Sequence, residues 1–349
     1  MINVGILGAG GIAALSHLPE IASVDGMRVT HICGRKPRRL RLLCERFDVP
    51  RYSTNWADLL ADDELDAVIV ALPHPLHAEA GLAVLQQGLH LFMQKPLCTT
   101  VEEANQLVAA SEARPAQIVY CRPSFDAVAV EMKRQIEAGA VGTVSGALAR
   151  HSHGGPEIYY AEVTDSFKEP RVENDFWFFD ANTAGGGALI DMGVYSIANI
   201  VALLGKVKHV TARMATVAKP TRMEDSAMLI LEMANGSLAT AETGWCDPAR
   251  SSFLRVHGTA GKLIKRGGSI DHIRPSSFER EWAEPLVDAI TPAPAVNQHA
   301  EWLRCIESGQ QPALSNLRLA RHVTEIMLAA VESNESGARI ATHTDPHIS

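Results

Sequence analysis

The chain has no excess of positive charge. Its 349 residues carry a net charge of −8, which argues against a general nucleic-acid or membrane-surface binder, since such proteins usually carry a basic surplus. It has no Cys-x-x-Cys pair. Cys33, Cys44, Cys98, Cys121, Cys246 and Cys305 are scattered, and their spacing fits no zinc pattern. Single thiols of this kind suit a reducing compartment, so a cytoplasmic protein is expected, and each thiol reads best as a small buried hydrophobe. No apolar stretch reaches the ~18 residues that suggest a membrane span. A strand-like run starts at residue 2, so no signal peptide is expected. Repeats and low-complexity segments are also missing.

What is present is ordinary for a globular chain: 46% apolar and 21% charged residues. At roughly 100–200 residues per domain, the length suggests two domains, enough to bury a large core without staples.

The first part alternates short apolar runs with helical patterns. The runs at 2–7, 28–33, 67–72, 89–93 and 118–121 read as buried parallel strands. Helices are predicted over 12–22, 37–47, 76–87 and 101–112, with Pro37 in a first turn and Gly88 at an end. This alternation predicts an α/β fold with a doubly wound parallel sheet over residues 1–122. The rhythm then changes. A helix over 127–137 and a strand over 143–151 precede a polar, aromatic-rich stretch, 154–182, with little periodicity. A long apolar helix follows at 188–204. Strands at 226–233 and 237–245 flank Asn235-Gly236, the strongest short hairpin signal. Further strands are expected at 253–257 and 262–265, then helices at 296–308 and 317–333, then a strand or loose end. Residues 123–349 therefore read as an α+β domain with a mainly antiparallel sheet, its last helices free to pack back on the first domain.

Gly8-Ala9-Gly10-Gly11-Ile12-Ala13 matches G-x-G-x-x-A between a strand and a helix, the context a dinucleotide needs. Gly8 allows the tight turn, Gly10 lets the backbone approach a pyrophosphate, and Ala13 lets helix pack on strand. Free N–H groups at the helix start favour phosphate. After the second strand an acid usually grips the ribose of NAD. Here Arg35, Lys36, Arg38 and Arg39 stand instead. A guanidinium can grip a 2′-phosphate by two hydrogen bonds, so NADP is favoured over NAD, with Arg35 first and Arg38 or Arg39 second.

Ligands of open α/β sheets bind beyond the carboxyl ends of the strands. Leu72, Pro73 and His77 lie beyond one such end, and Gln94, Lys95 and Pro96 beyond another. Pro96 keeps Lys95 out of helical geometry. In the second domain, Gly185, Gly186 and Gly187 precede a helix on which Asp191 and Tyr195 share a face. That face reads either as an internal hydrogen-bonded pair or as a polar surface for substrate. His151 and His153 alternate onto one strand face. They suit a sugar hydroxyl better than a metal, because no third ligand is evident. Asp175 and Trp177 are further candidates for a sugar pocket.

These motifs resemble the glucose–fructose oxidoreductase / inositol dehydrogenase / rhizopine catabolism family (Gfo/Idh/MocA) over nearly the whole chain. The resemblance rests on the glycine turn, the Ala71–His77 loop, x-Lys-Pro at 94–96 and G-G-G-x-x-x-D-x-G-x-[H/Y] at 185–195. It implies a Rossmann domain, an α+β domain whose open sheet often forms oligomer contacts, and NAD(P)-dependent oxidation of a sugar or polyol. It gives Lys95 a role at the substrate and Tyr195 that of acid/base. Gln94 stands where the family usually has Glu, Tyr195 where many relatives have His, and Ala198 where many have Asp. The Tyr form resembles the branch with glucose–fructose oxidoreductase, xylose dehydrogenases and dimeric dihydrodiol dehydrogenase.

The implied chemistry is concrete. A free Tyr titrates near ~10, too high for a neutral-pH base. A Lys95 cation would favour the phenolate and stabilise charge on the substrate oxygen. Asp191 would orient the substrate or fix Lys95. A homodimer or homotetramer is expected. Three rival readings are a cofactor-sensing regulator, a nicotinamide-dependent lyase or glycosidase, and a reductase of a dihydrodiol or other non-sugar carbonyl.

Overall fold

The computed structural model describes residues 1–169, 179, 186–280 and 282–346. The candidates Asp175, Trp177 and Gly185 lie outside the described residues.

The chain divides into two compact units. The first comprises Met1–Ser124, Gly155–Gly187 and Asn297–Thr324; the second comprises Phe125–Gly154, Ala188–Val296 and Glu325–Ser349.

The first unit is a Rossmann fold. Its six strands are β1 (Ile2–Leu7), β2 (Met27–Cys33), β3 (Arg51–Ser53), β4 (Ala67–Val70), β5 (His90–Met93) and β6 (Val119–Cys121). They pair in parallel in the order β3-β2-β1-β4-β5-β6. Strand order reverses between β1 and β4, which opens a crevice at their carboxyl ends. The predicted apolar runs account for five of the strands, because both sheet faces are covered and most buried positions are apolar; Thr30 and His31 in β2 are the buried polar exceptions. The three-residue β3 is too short to leave a pattern. Helix Val101–Glu112 begins at a capping box: Thr100 accepts from the Glu103 N–H and Glu103 accepts from the Thr100 N–H. Helix Gln298–Ser308, from the far end of the sequence, places the fully buried Trp302 against Phe92 in this core.

The helix after β1 departs from the sequence reading. It carries a π turn at Ala13–His17 before the α turn Leu18–Ile21. The stretch read as irregular also contains a helix, Pro156–Ser166. Its apolar residues form no stripe, so periodicity could not reveal it.

The second unit is built on nine strands. They are β7 (Val144–Ser152), β8 (Val207–Ala215), β9 (Ser226–Met233), β10 (Leu238–Gly244), β11 (Ser251–Gly258), β12 (Lys262–Arg266), β13 (Ser269–Arg274), β14 (Leu286–Ile290) and β15 (Ile340–Ala341). Their order is β14-β13-β12-β11-β7-β10-β9-β8-β15. All neighbours are antiparallel except the parallel pair β7 and β10. The predicted hairpin forms β9 and β10, with Gly236 at φ +87° in its turn. Along β9, Ala227, Leu229, Leu231 and Met233 are buried, while Met228 and Ile230 are exposed. Helix Val194–Leu204 packs on β7 and β10; the opposite face presents these exposed apolar side chains.

Candidate active site

In the first unit the glycine turn separates its roles clearly. Gly8 sits at φ +94°, and a Cβ there would lie 2.3 Å from the Ala71 carbonyl oxygen. Only glycine fits, by conformation and by space. At Gly10 a Cβ would meet nothing nearer than the Gly8 carbonyl oxygen at 4.0 Å. Among the described residues no atom requires glycine there, as suits a backbone that must leave room for a pyrophosphate. Gly11 is fixed by a neighbour that the sequence did not reveal: a Cβ would come 2.5 Å from Val163 of helix Pro156–Ser166. The helix that starts at this turn carries Ile12 and the fully buried Ala13. These residues fit a dinucleotide phosphate.

The basic cluster after β2 is partly committed. Arg39 donates from Nε to Glu169 Oε1 at 2.8 Å and from a second nitrogen to Oε2, with its guanidinium 4.7 Å over the Phe167 ring. Arg38 lies 3.7 Å from the same carboxylate, and Arg35 is exposed. The cations hold the Glu169 carboxyl below its ordinary value, Arg39 foremost. Glu169 is thus an acid that the sequence reading did not weigh, and it competes for the guanidiniums assigned to a 2′-phosphate.

Beyond β4 and β5, His77 is fully buried. Its Nδ1 lies 2.7 Å from the Pro96 carbonyl oxygen and its Nε2 2.8 Å from that of Leu72. Burial outweighs both carbonyls and lowers its pKa, so at neutral pH the uncharged ring donates to one of them. The ring braces the Leu72–Pro73 loop against the Lys95-Pro96 loop, and no ring nitrogen faces outward. Gln94 is buried, its side-chain oxygen accepting from the Lys95 N–H at 3.3 Å.

In the second unit the glycine motif ends in another π turn, Leu189–Gly193, ahead of helix Val194–Leu204. Glu224 anchors its start: its carbonyl accepts from the Ala188 N–H and its carboxylate from the Leu189 N–H. Asp191 is buried. Its Oδ2 accepts from Trp245 Nε1 at 3.0 Å and lies 3.3 Å from His153 Nε2. The His151 ring lies 4.7 Å from the Tyr195 ring, centroid to centroid. The two-residue period of β7 therefore meets the four-residue period of the helix: His153 with Asp191, His151 with Tyr195. Each half of this match was visible in the sequence; the register between them was not. Trp245, fully buried just past β10, gave no signal beyond its type. Ala198 is fully buried on the same helix. A carboxylate at that position would need a buried partner.

Comparison with known proteins agrees with this architecture. Residues 2–120 match the model of an oxidoreductase family with an NAD-binding Rossmann fold, and residues 129–264 match the Gfo/Idh/MocA C-terminal domain. An uncharacterized oxidoreductase of Rhizobium meliloti, ORF334, is 28% identical over 64% of this chain and 58% of its own length. A D-xylose 1-dehydrogenase (NADP(+)) of Haloferax volcanii is 24% identical over 96% of this chain and 98% of its own. The solved structure of a levoglucosan dehydrogenase with NADH and levoglucosan shares the fold at a TM-score of 0.78, with 21% identity over 97% of this chain and 99% of that one. Two domain models of one family thus match in the expected order on the two sheets just described, and the chain belongs to the Gfo/Idh/MocA oxidoreductases.

Proposed function

We propose that the chain moves a hydride between NADP, or less favourably NAD, and a carbinol or carbonyl carbon of a sugar, polyol or related cyclic alcohol. The observation that carries this reading is the double pairing of His153 with Asp191 and His151 with Tyr195, which gathers four hydroxyl-binding groups at one end of β7.

A bound nicotinamide supplies the hydride acceptor or donor. The chain must then move one proton on the substrate oxygen. Tyr195 takes that proton on oxidation and returns it on reduction. Lys95 hydrogen-bonds the same oxygen and stabilises its developing charge. Asp191, held by Trp245, keeps His153 turned toward the substrate hydroxyls. The second unit supplies the substrate side and Gly8 to Ala13 the phosphate cradle, with Leu72, Pro73, Gln94 and Lys95 around the nicotinamide. The six cysteines, in no disulfide, support a cytoplasmic setting. The exposed apolar face at Met228 and Ile230 supports a homodimer or homotetramer.

The test is titration with NADPH and NADH, followed by a sugar and polyol panel read at the nicotinamide absorbance. D-xylose and levoglucosan, which the named relatives act on, come first. Tighter NADPH binding with turnover of a panel member is expected. Cofactor binding without turnover on a broad panel would sink the reading in favour of a sensor. Lys95→Met should abolish turnover and leave cofactor binding nearly intact.

A further inference from the structure

Behind the Lys95 loop runs a buried row of polar side chains. Gln94 Nε2 lies 2.8 Å from His17 Nε2, and His17 Nδ1 lies 2.8 Å from His299 Nε2. His299 Nδ1 in turn lies 3.1 Å from Glu20 Oε2. Both imidazoles are fully buried, and the Phe92 ring lies against each, edge to His17 and stacked on His299. Glu20 also accepts from Ser16 and from Gln298. The π turn at Ala13–His17 carries His17 into the row, and helix Gln298–Ser308 supplies His299.

Only one arrangement of hydrogens satisfies this row. The Lys95 N–H can only donate, so the Gln94 oxygen must face it. The Gln94 amide nitrogen then donates to His17 Nε2, which must be a bare lone pair. The His17 hydrogen therefore sits on Nδ1 and points at a lone pair on His299 Nε2. The His299 hydrogen is left to Nδ1, which lies 3.1 Å from Glu20 Oε2, a charge contact too poorly aligned to be a hydrogen bond. Every donor runs the same way, from Lys95 toward Glu20.

We propose that His17 and His299 are positioning residues, which relay the Glu20 charge through Gln94 to fix the backbone of Lys95. The proposal rests on Lys95 acting at the substrate. A carboxylate in place of the Gln94 amide could not donate to His17 Nε2, so the amide at 94 and the neutral ring at 17 are chemically matched. Burial, with Arg122 nearby, disfavours charge on both rings.

The full-length chain with isotope-labelled histidine reads the ring hydrogens by nitrogen NMR, with His17→Gln and His299→Gln assigning the two signals. Two uncharged rings at neutral pH, each with its hydrogen on Nδ1, are expected. A hydrogen on Nε2 of either ring, or a charged ring, overturns the relay. Amide exchange reads the other end. Gln94→Met and His17→Phe should each speed exchange at Lys95 by about tenfold, the worth of one net hydrogen bond. Exchange at Leu91 and Phe92 should hold. Unmoved exchange at Lys95, or equal loosening along all of β5, overturns the positioning role. Neither readout needs a substrate, so their failure is separate from failure of the Lys95 assignment, which Lys95→Met tests alone.

Discussion

At Arg39 the guanidinium is already bidentate to Glu169, with Phe167 beneath it. A 2′-phosphate would have to share these cations with a carboxylate of its own sign. Glu169→Gln removes that charge, so NADPH should bind about three- to tenfold tighter, the worth of a partly exposed charge contact, with NADH little changed. Fluorescence titration with both cofactors checks this, and equal changes for the two would contradict the placement. Trp245 is a second residue with a definite expectation. Trp245→Phe takes a donor from the buried Asp191 carboxylate, which should cost about 1–3 kcal/mol in denaturant unfolding. Lys95, Asp191 and Tyr195 could be named from the sequence because they sit in motifs of fixed spacing. Glu169, Trp245 and His299 could not. They reach their partners from 54 to 282 residues away, and nothing local encodes such a meeting.

Among the elements, the glycine turn offers a paired test. Gly8→Ala forces a side chain into φ +94° and onto the Ala71 carbonyl, so stability should fall by about 2 kcal/mol or more. Gly10→Ala meets no atom of the described residues closer than 4.0 Å, so its melting temperature should hold while NAD(P)H affinity drops. A thermal melt and a cofactor titration on both variants separate a structural glycine from a ligand glycine; loss of stability in both would remove the distinction. Five of the six strands of the first sheet were legible because burial on both faces leaves mostly apolar runs. The edge strand β14, exposed along most of its length, has no such constraint and left no trace. The two π turns were invisible for another reason. A π turn adds one residue to a helical turn without changing composition, and each one here lies in a motif helix, delivering His17 or Asp191.

For the whole molecule, four histidines of the first unit, His17, His77, His90 and His299, all have lowered pKa values, with burial the first cause. The unfolded chain takes up protons near ~6.5 and the folded one does not. Stability is therefore complete above that value and falls as pH drops below it, by up to about 1.4 kcal/mol per pH unit for each fully buried ring. Glu20, held at about 2, acts in a lower window: its contribution is present above the ordinary carboxylate value and is lost as pH falls toward about 2. Hydrogen exchange across mildly acid pH should show the first unit loosening before any carboxylate titrates; constant protection from neutral down to pH ~5 would contradict it. The first unit also closes late during synthesis. Trp302, Leu303 and Cys305 complete a core begun by Val4 and Ile6, yet the ribosome delivers them only after Phe125–Gly154 and Ala188–Val296, most of the second unit, have emerged. A nascent chain halted before Asn297 holds a Rossmann sheet that lacks helix Gln298–Ser308 from one core cluster and Leu317 and Ala320 from the other. Such a chain should bind a hydrophobic dye and engage a chaperone, and release should wait for Trp302.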